Sequence, residues 1–163
     1  MQVVGGKLRV LAGSIVVLAI CAAVADGAVA KIVIGQGIAG VNIGDTEAQV
    51  QHIVGRPTTT YKPARGVAGW QYTHGPLSEV EFDKGRVFYV LTGRTDQKTS
   101  KGIGVGSSVA AVRRAYPSAR CTSGSTYVFC DIKTHSHGKI VTTRFSTDTA
   151  TGPISSVLVV VRP

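Results

Sequence analysis

The sequence predicts an α+β fold made of two tandem repeats, each with one short helix followed by a three-stranded antiparallel meander, with the helices on one face of the sheet. An internal repeat is the first observation: residues 40–50, GVNIGDTEAQV, align with residues 102–112, GIGVGSSVAAV, with seven positions identical or nearly isosteric. The second observation is a helix-start signal inside each copy. The third is the alternation of apolar and polar residues after each copy, which is typical of strands. We expect residues 31–95 and 96–163 to form the two repeats of one compact domain.

Residues 1–30 predict a secretory signal peptide rather than a part of the fold. Lys7 and Arg9 precede the apolar run 11–24, and Ala28 and Ala30 supply the small residues of a cleavage site. The remaining chain then carries sixteen basic and eight acidic residues, a net charge of +8. This surplus favours anionic partners, although it also suits a solvated surface.

Two other interpretations of the leader are disfavoured. Its apolar run is shorter than the roughly 20 residues that span a bilayer, and Asp26 interrupts its end. Cys21 would fit a lipoprotein, but Ile20 occupies the position where such signals carry a small residue. We therefore expect a secreted or envelope-associated protein with no stable membrane insertion, cleaved after Ala30 or, as the alternative, after Ala25.

In the first repeat, Thr46 is a good helix N-cap, and Gln49 lies where it completes a capping box. Gly55 and Pro57 end this helix. Strands are then expected at residues 70–72, 77–83 and 86–92, with Lys84-Gly85 as a turn, and residues 31–34 are expected to add an edge strand.

In the second repeat, Ser108 caps a helix without a capping box, and Pro117 ends it. Strands are expected at residues 127–131, 140–146 and 154–161. The last of these is apolar on both faces toward its end, which indicates a central strand or the seam between the repeats. Helices this short need a sheet to pack on, so we expect a shared sheet with one face open to solvent.

Two cysteines remain after the leader, Cys121 and Cys130, and we expect them to form a disulfide in an oxidising compartment. Closing a loop of this size stabilises the fold by about 2 to 3 kcal/mol in the chain-entropy model. A catalytic thiol is the rival interpretation, but the sequence contains no redox Cys-x-x-Cys pair.

Residues 43–57, IGDTEAQVQHIVGRP, resemble the signature of the small outer-membrane assembly lipoproteins, the SmpA/OmlA-like accessory subunits of the β-barrel insertion machine. The duplication resembles the tandem-repeat architecture of the secreted β-lactamase inhibitory protein. The chain is also similar to secreted two-repeat actinobacterial proteins of unassigned function. The matched positions are caps, turns and core residues, so the resemblance implies a fold and transfers no functional residue.

Two motifs that usually carry cofactor or metal chemistry fail on their context. Residues 35–40, GQGIAG, spell a dinucleotide fingerprint, but VNI follows instead of a helix and no acidic residue closes a strand about 20 residues later. His135 and His137 share a face of a strand, but zinc usually takes three or four protein ligands, and a third from His74 would require two hairpin loops to meet. We expect a glycine-rich loop, a polar hairpin tip, no metal and no cofactor.

One predicted strand carries carboxylates at the spacing of a glycosidase-type pair. Glu79, Glu81 and Asp83 alternate along one strand, and two side chains two residues apart lie about 6 to 7 Å apart. We expect Arg86 and other cations across the hairpin to neutralise them as ordinary cross-strand pairs. No convincing nucleophile and base accompany them, so the sequence predicts a non-enzyme.

Binding through a surface is the function that remains. Trp70 and Tyr72 share one strand face and Tyr127 and Phe129 share another; either pair lies in the core or on the open side. Exposed rings beside Arg144 would form an aromatic and cationic binding patch.

The sequence therefore predicts a monomeric, secreted, non-enzymatic binding module that engages an envelope protein or a polyanionic wall component. An inhibitor of a secreted hydrolase is the alternative, and a small hydrolase a weaker one. Nucleic acid is not expected as a partner outside the cell.

Overall fold

The computed structural model describes residues 31–161. The predicted signal peptide, with Lys7, Arg9 and Cys21, lies outside the described residues. Within the described part of the chain, no helix has the length and apolar character needed to cross a membrane.

Between residues 31 and 161 the chain forms eleven strands and two helices. In chain order they are β1 (Ile32–Val33), β2 (Gly37–Ile38), β3 (Val41–Asn42), α1 (Glu47–Val54), β4 (Thr59–Tyr61), β5 (Val67–Gln71), β6 (Glu79–Asp83), β7 (Arg86–Thr92), α2 (Val109–Ala115), β8 (Arg120–Ser123), β9 (Val128–Ser136), β10 (Lys139–Thr147) and β11 (Ile154–Val161).

Eight of the strands form one antiparallel sheet in the order β4-β5-β6-β7-β11-β10-β9-β8, and the first three form a separate small sheet. Each half of the large sheet runs from its outer edge to its centre along the chain. The halves meet where β7 pairs with β11, with Val90 opposite Val159. The sequence-predicted central position of the last strand is confirmed, whereas the predicted duplication of the two halves stays a prediction.

The predicted α+β class with helices covering one face is wrong, because the described residues are mostly β, with 45% in strands and only 11% in helix. The error has two sources. Of the small sheet only β1 matches an expectation, the edge strand at residues 31–34, but it pairs with β2 and not with the large sheet. Strands β2 and β3 have two residues each, too few to show any periodicity. The edge strands β4 and β8 read TTY and RCTS, and their polar residues gave no strand signal.

The core lies against one face of the large sheet, here called the covered face. Its largest fully buried side chains include Phe82 of β6 and Phe145 of β10. Val50 of α1, Val112 of α2 and Ile38 of β2 are buried against them. The helices thus share the covering of this face with the small sheet, which is why so little helix suffices.

Both helices begin as predicted. The Thr46 hydroxyl accepts a hydrogen bond from the Gln49 backbone N–H at 3.3 Å, and the Thr46 N–H donates to the Gln49 side chain at 2.8 Å, which confirms the capping box. Ser108 accepts from the Ala111 N–H at 3.1 Å and has no such return bond. Gly55, at φ 84°, ends α1 in a conformation that favours glycine.

Candidate functional site

The structure places Trp70 and Tyr72 on the covered face. The Trp70 ring meets Phe82 edge-on with centroids 4.7 Å apart, and Trp70 lies directly opposite the fully buried Val80. Tyr72 is 7% exposed and donates a hydrogen bond to the Gly55 carbonyl oxygen at the end of α1. Burial raises the pKa of Tyr72 to about 12. These rings stabilise the core, so the predicted patch of Trp70, Tyr72 and Arg144 does not form.

Arg144 lies on the opposite face, here called the open face, where the side chains of the large sheet are half-buried or exposed. Its guanidinium makes two hydrogen bonds to the Asp131 carboxylate, of 2.7 and 2.8 Å, across the β9–β10 pair. It also lies over the Phe129 ring, 4.1 Å from the centroid. The two hydrogen bonds to Asp131 hold the guanidinium in one orientation, and they raise the pKa of Arg144.

The second aromatic pair joins Arg144. Tyr127 stacks on Phe129 with centroids 5.9 Å apart and ring planes 16° apart, and Tyr127 is 46% exposed. We call Tyr127, Phe129, Arg144 and Asp131 the aromatic-cationic patch. The sequence signal for the position of Phe129 is the neighbouring Cys130, because a disulfide cysteine is usually buried and adjacent strand residues point to opposite faces. The structure buries Cys130 fully.

An apolar band lies beside the patch at the centre of the sheet. Strand register puts Leu91 of β7 opposite Leu158 of β11, and Leu158 opposite Arg144 of β10. Two residues further along the same pair of strands, Tyr89 is opposite Val160. The four side chains Leu91, Leu158, Tyr89 and Val160 are half-buried on the open face and form the central band.

Carboxylates lie on the far side of the central band. Glu79 is opposite Leu91, and Glu81 is opposite Tyr89. Burial raises the pKa of both carboxyls, and the Glu81 charge raises that of Glu79 further. The Tyr61 hydroxyl donates to Glu81 at 2.9 Å. Burial and these two carboxylates also raise the pKa of Tyr89 to about 12.

The expected neutralisation of these carboxylates by Arg86 is wrong. Arg86 lies opposite Asp83 and donates to the Gly44 carbonyl oxygen at 3.2 Å. Among residues 31–161, the ion pairs are Lys31–Asp96, Arg94–Asp96 and Arg144–Asp131, so Glu79 and Glu81 have no cationic partner there. This side of the open face is therefore negative.

The other side of the open face is positive. A cleft of about 520 Å³ lies over β9, β10 and β11 and is lined by the side chains of Lys133, Lys139, Ile140, Arg144 and Leu158, among others. Ile140 is 50% exposed. The open face thus runs from acidic, through apolar and aromatic, to basic across one sheet.

The predicted disulfide is confirmed: Cys121 of β8 is bonded to Cys130 directly opposite on β9. His135 is on β9. His137 and Gly138 form the β9–β10 turn, and these two residues have positive φ, as a tight hairpin requires. In the described part of the chain, no group of three or more His, Cys, Asp or Glu side chains is placed to hold a metal ion.

No protein-family model matches the chain, and no curated protein matches it. A solved structure does. It is the crystal structure of an extracellular protein containing a SCP domain from Bacillus anthracis str. Ames, with a TM-score of 0.56 and 11% sequence identity. The alignment covers 97% of this chain and 50% of that chain, so this chain spans half the length of its neighbour. At this identity the likeness shows the fold alone.

Proposed function

We propose that this chain is a non-enzymatic binding module that works outside the cytoplasm and recognises a protein through its open face. The single observation that carries the proposal is the aromatic-cationic patch beside the central band. Tyrosine and arginine are, with tryptophan, the residues enriched at interface hot spots. The patch is already ordered by ring stacking and by the ion pair to Asp131, so less conformational entropy is lost when a partner binds.

The charges of the open face favour a protein over an anionic polymer. Lys133 and Lys139 attract anions on one side, but Glu79 and Glu81 repel them on the other. A polymer of uniform charge gains nothing from the central band. The expected partner is a folded envelope or secreted protein that presents a basic group to the two glutamates, an acidic group to the lysines and an apolar surface between them.

An extracytoplasmic location is supported by the disulfide between Cys121 and Cys130, because such bonds persist in oxidising compartments. The predicted signal peptide points the same way. The resemblance of residues 43–57 to the assembly lipoproteins, and of the duplication to the β-lactamase inhibitory protein, remains part of the proposal. Inhibition of a secreted hydrolase would be one form of the same protein recognition.

The test is affinity capture with the chain from residue 31 onward, immobilised and incubated with envelope and secreted protein extracts at physiological salt. Tyr127→Ala removes the exposed ring of the patch and should reduce capture of the specific partner about tenfold or more. Ile53→Ala is the matched control, because Ile53 is similarly exposed, at 43%, but lies on α1 away from the open face. It should leave capture unchanged.

Three outcomes would contradict the proposal. Capture that survives Tyr127→Ala would place the partner elsewhere. Retention of wall polymers alone, lost steeply as salt rises, would indicate the polyanion binder instead. Sedimentation as a dimer that Tyr127→Ala dissociates would mean that a second copy occupies the open face. A captured hydrolase whose rate falls on addition of the chain would identify the inhibitor form.

A further inference from the structure

The structure brings together two motifs that the sequence analysis left without a role. The glycine-rich segment that follows β1 and the His135–His137 hairpin are about a hundred residues apart in sequence, yet both line a cleft of about 730 Å³ at one end of the large sheet. We call it the end cleft. The residues before α1 and the β6–β7 hairpin complete its rim.

Gly35 fastens the glycine-rich segment to the sheet. It is buried at φ 71°, and a Cβ at this position would collide with the Thr134 side chain of β9. Its N–H donates to the Thr143 hydroxyl of β10 at 2.9 Å. A larger residue would push the segment away from β9 and β10, so glycine at this position shapes one wall of the end cleft.

The floor of the end cleft is apolar. It is lined by Val87 and Phe88 of β7, Val141 of β10 and Val161 of β11. The three valines are buried and Phe88 is half-buried. A pocket of this volume with an apolar floor and a few converging polar groups has the usual features of a small-molecule site.

The rim carries charges of both signs that do not neutralise each other. Asp45 and Asp83 lie on the side of α1 and β6, and Lys139 lies on the β10 side. Among residues 31–161, none of the three is in an ion pair. The Arg86 guanidinium, also on the rim, lies opposite Asp83 in the β6–β7 hairpin and donates to the Gly44 carbonyl oxygen. It remains a cation and offsets one of the two carboxylates, so the acidic side keeps a net negative charge while Lys139 supplies the positive charge on the β10 side.

The spacing sets the size of a ligand that could reach both sides. Strands β6 and β10 are separated by β7 and β11 in the sheet, so their backbones lie about 14 Å apart at roughly 4.8 Å per strand. Side chains of Asp and Lys reach inward from each side, and an extended peptide spans about 3.4 Å per residue. Once the reach of the Asp and Lys side chains is subtracted, an extended peptide of two to three residues spans the remaining distance between the carboxylate and the ammonium group.

From the cleft, its apolar floor and its opposed charges, we infer that the end cleft binds a short zwitterionic peptide of two or three residues with apolar side chains. The free ammonium lies toward Asp83 and Asp45, the carboxylate toward Lys139, and the side chains on the valine floor. This site is separate from the patch on the open face, and it goes beyond the protein-recognition function proposed above.

The test is titration of the ¹⁵N-labelled chain with valyl-valine and trialanine, followed by backbone amide shifts. We expect saturable shifts near Gly35, His137 and Phe88. N-acetylation or C-amidation of the same peptides should weaken binding about tenfold each, because each removes one charge-assisted contact. Free valine should bind more weakly than either peptide, because it cannot span the floor.

Variants of the rim residues test which side of the end cleft binds the ammonium and which binds the carboxylate of the peptide. Asp83→Asn should weaken binding of the free peptide and remove the difference between free and N-acetylated peptides. Lys139→Gln should do the same for C-amidation. Lys133→Gln is the matched control for Lys139→Gln, because both lysines line the open-face cleft but only Lys139 lines the end cleft. Tyr127→Ala should leave peptide binding intact, which separates this inference from the protein-binding proposal.

The inference is overturned if millimolar peptide gives no shifts, if the shifts lie outside the end cleft, or if capped peptides bind as well as free ones. Equal binding of valine and the peptides would also overturn it, because the site would then hold a single amino acid.

Discussion

At the residue scale, Glu79 and Glu81 are the least favourably placed charges of the open face. Burial raises the pKa of both above the ordinary carboxyl value. The folded protein therefore holds these protons more tightly than the unfolded chain does. Their contribution to the free energy of unfolding is fully present below the unfolded pKa, about 4.3, and is lost as the pH rises through the raised folded pKa.

Glu79→Gln should therefore raise the free energy of unfolding at pH 7 and leave it nearly unchanged at pH 3, where the carboxyl is protonated in both states. Urea denaturation at the two pH values measures this. The exposed Glu47 in the first turn of α1 is a control of opposite sign: Glu47→Gln removes a favourable charge at a helix N-terminus and should cost a few tenths of a kcal/mol. A loss of stability in Glu79→Gln at pH 7 would contradict the assignment.

The candidate site was only partly predictable at this scale. The sequence names Arg144 as a candidate binding residue, and it lies half-buried on the open face. Alternation alone did not decide which face of each strand is buried, so Trp70 and Tyr72 were retained as candidates. Their burial depends on Val80 of the next strand and on the end of α1, contacts that follow only from the tertiary structure.

At the scale of elements, the two helices differ in how they begin. Thr46 forms a two-way capping box with Gln49, whereas Ser108 receives a single bond. Thr46→Ala should lower the free energy of unfolding by about 1 kcal/mol or more, and Ser108→Ala should cost less. Thermal unfolding followed by circular dichroism measures both. Thr46→Ala also removes the bond that the Thr46 hydroxyl donates to the Gln49 side chain at 2.9 Å, so equal losses would show that this second bond adds nothing.

The disulfide ties the edge strand β8 to β9. Replacing Cys121 and Cys130 together by serine should lower the free energy of unfolding by about 2 to 3 kcal/mol, measured by urea denaturation. The wild-type chain under reducing conditions is the matched comparison and should lose a similar amount. A double variant as stable as the oxidised protein would contradict a stabilising role.

The elements that the sequence predicted well are the ones whose pattern is long and apolar. Strands β7 and β11 have the predicted bounds, and β9 and β10 are longer than predicted. Strand β5 begins three residues earlier than expected, at Val67. The missed strands β4 and β8 lie at the sheet edges, where one side faces solvent and polar residues are tolerated.

At the scale of the whole molecule, the halves are joined through β7 and β11. Because Val90 and Val159 are fully buried at this junction, the sheet should unfold as one cooperative unit. Fluorescence of Trp70, the single tryptophan, reports on the first half, and far-ultraviolet circular dichroism reports on both. We expect the two urea transitions to coincide.

Val90→Ala should lower the free energy of unfolding by about 1 to 3 kcal/mol, and both transitions should move together to lower urea concentration. Val33→Ala, at an exposed valine of the small sheet, is the matched control and should shift them little. Transitions that separate in either protein would show that the halves unfold independently.

The class of the whole molecule was harder to predict than its parts. The helix caps are confirmed and the internal repeat stays a prediction, but the small sheet has strands of only two residues. Its buried residues Ile32, Ile38 and Val41 take up part of the covering that the helices were expected to provide. Such short strands are stabilised by burying their apolar residues against the core. This is a tertiary effect that local sequence patterns do not encode.

The position of β11 has a consequence for biogenesis. The strand made last among the described residues occupies the middle of the eight-stranded sheet, and its pairing with β7 closes a long loop, which is slow compared with forming hairpins. A chain emerging from the ribosome therefore cannot complete its native structure until synthesis reaches residue 161. If residues 1–30 act as the predicted signal peptide, such a delay would keep the polypeptide competent for export.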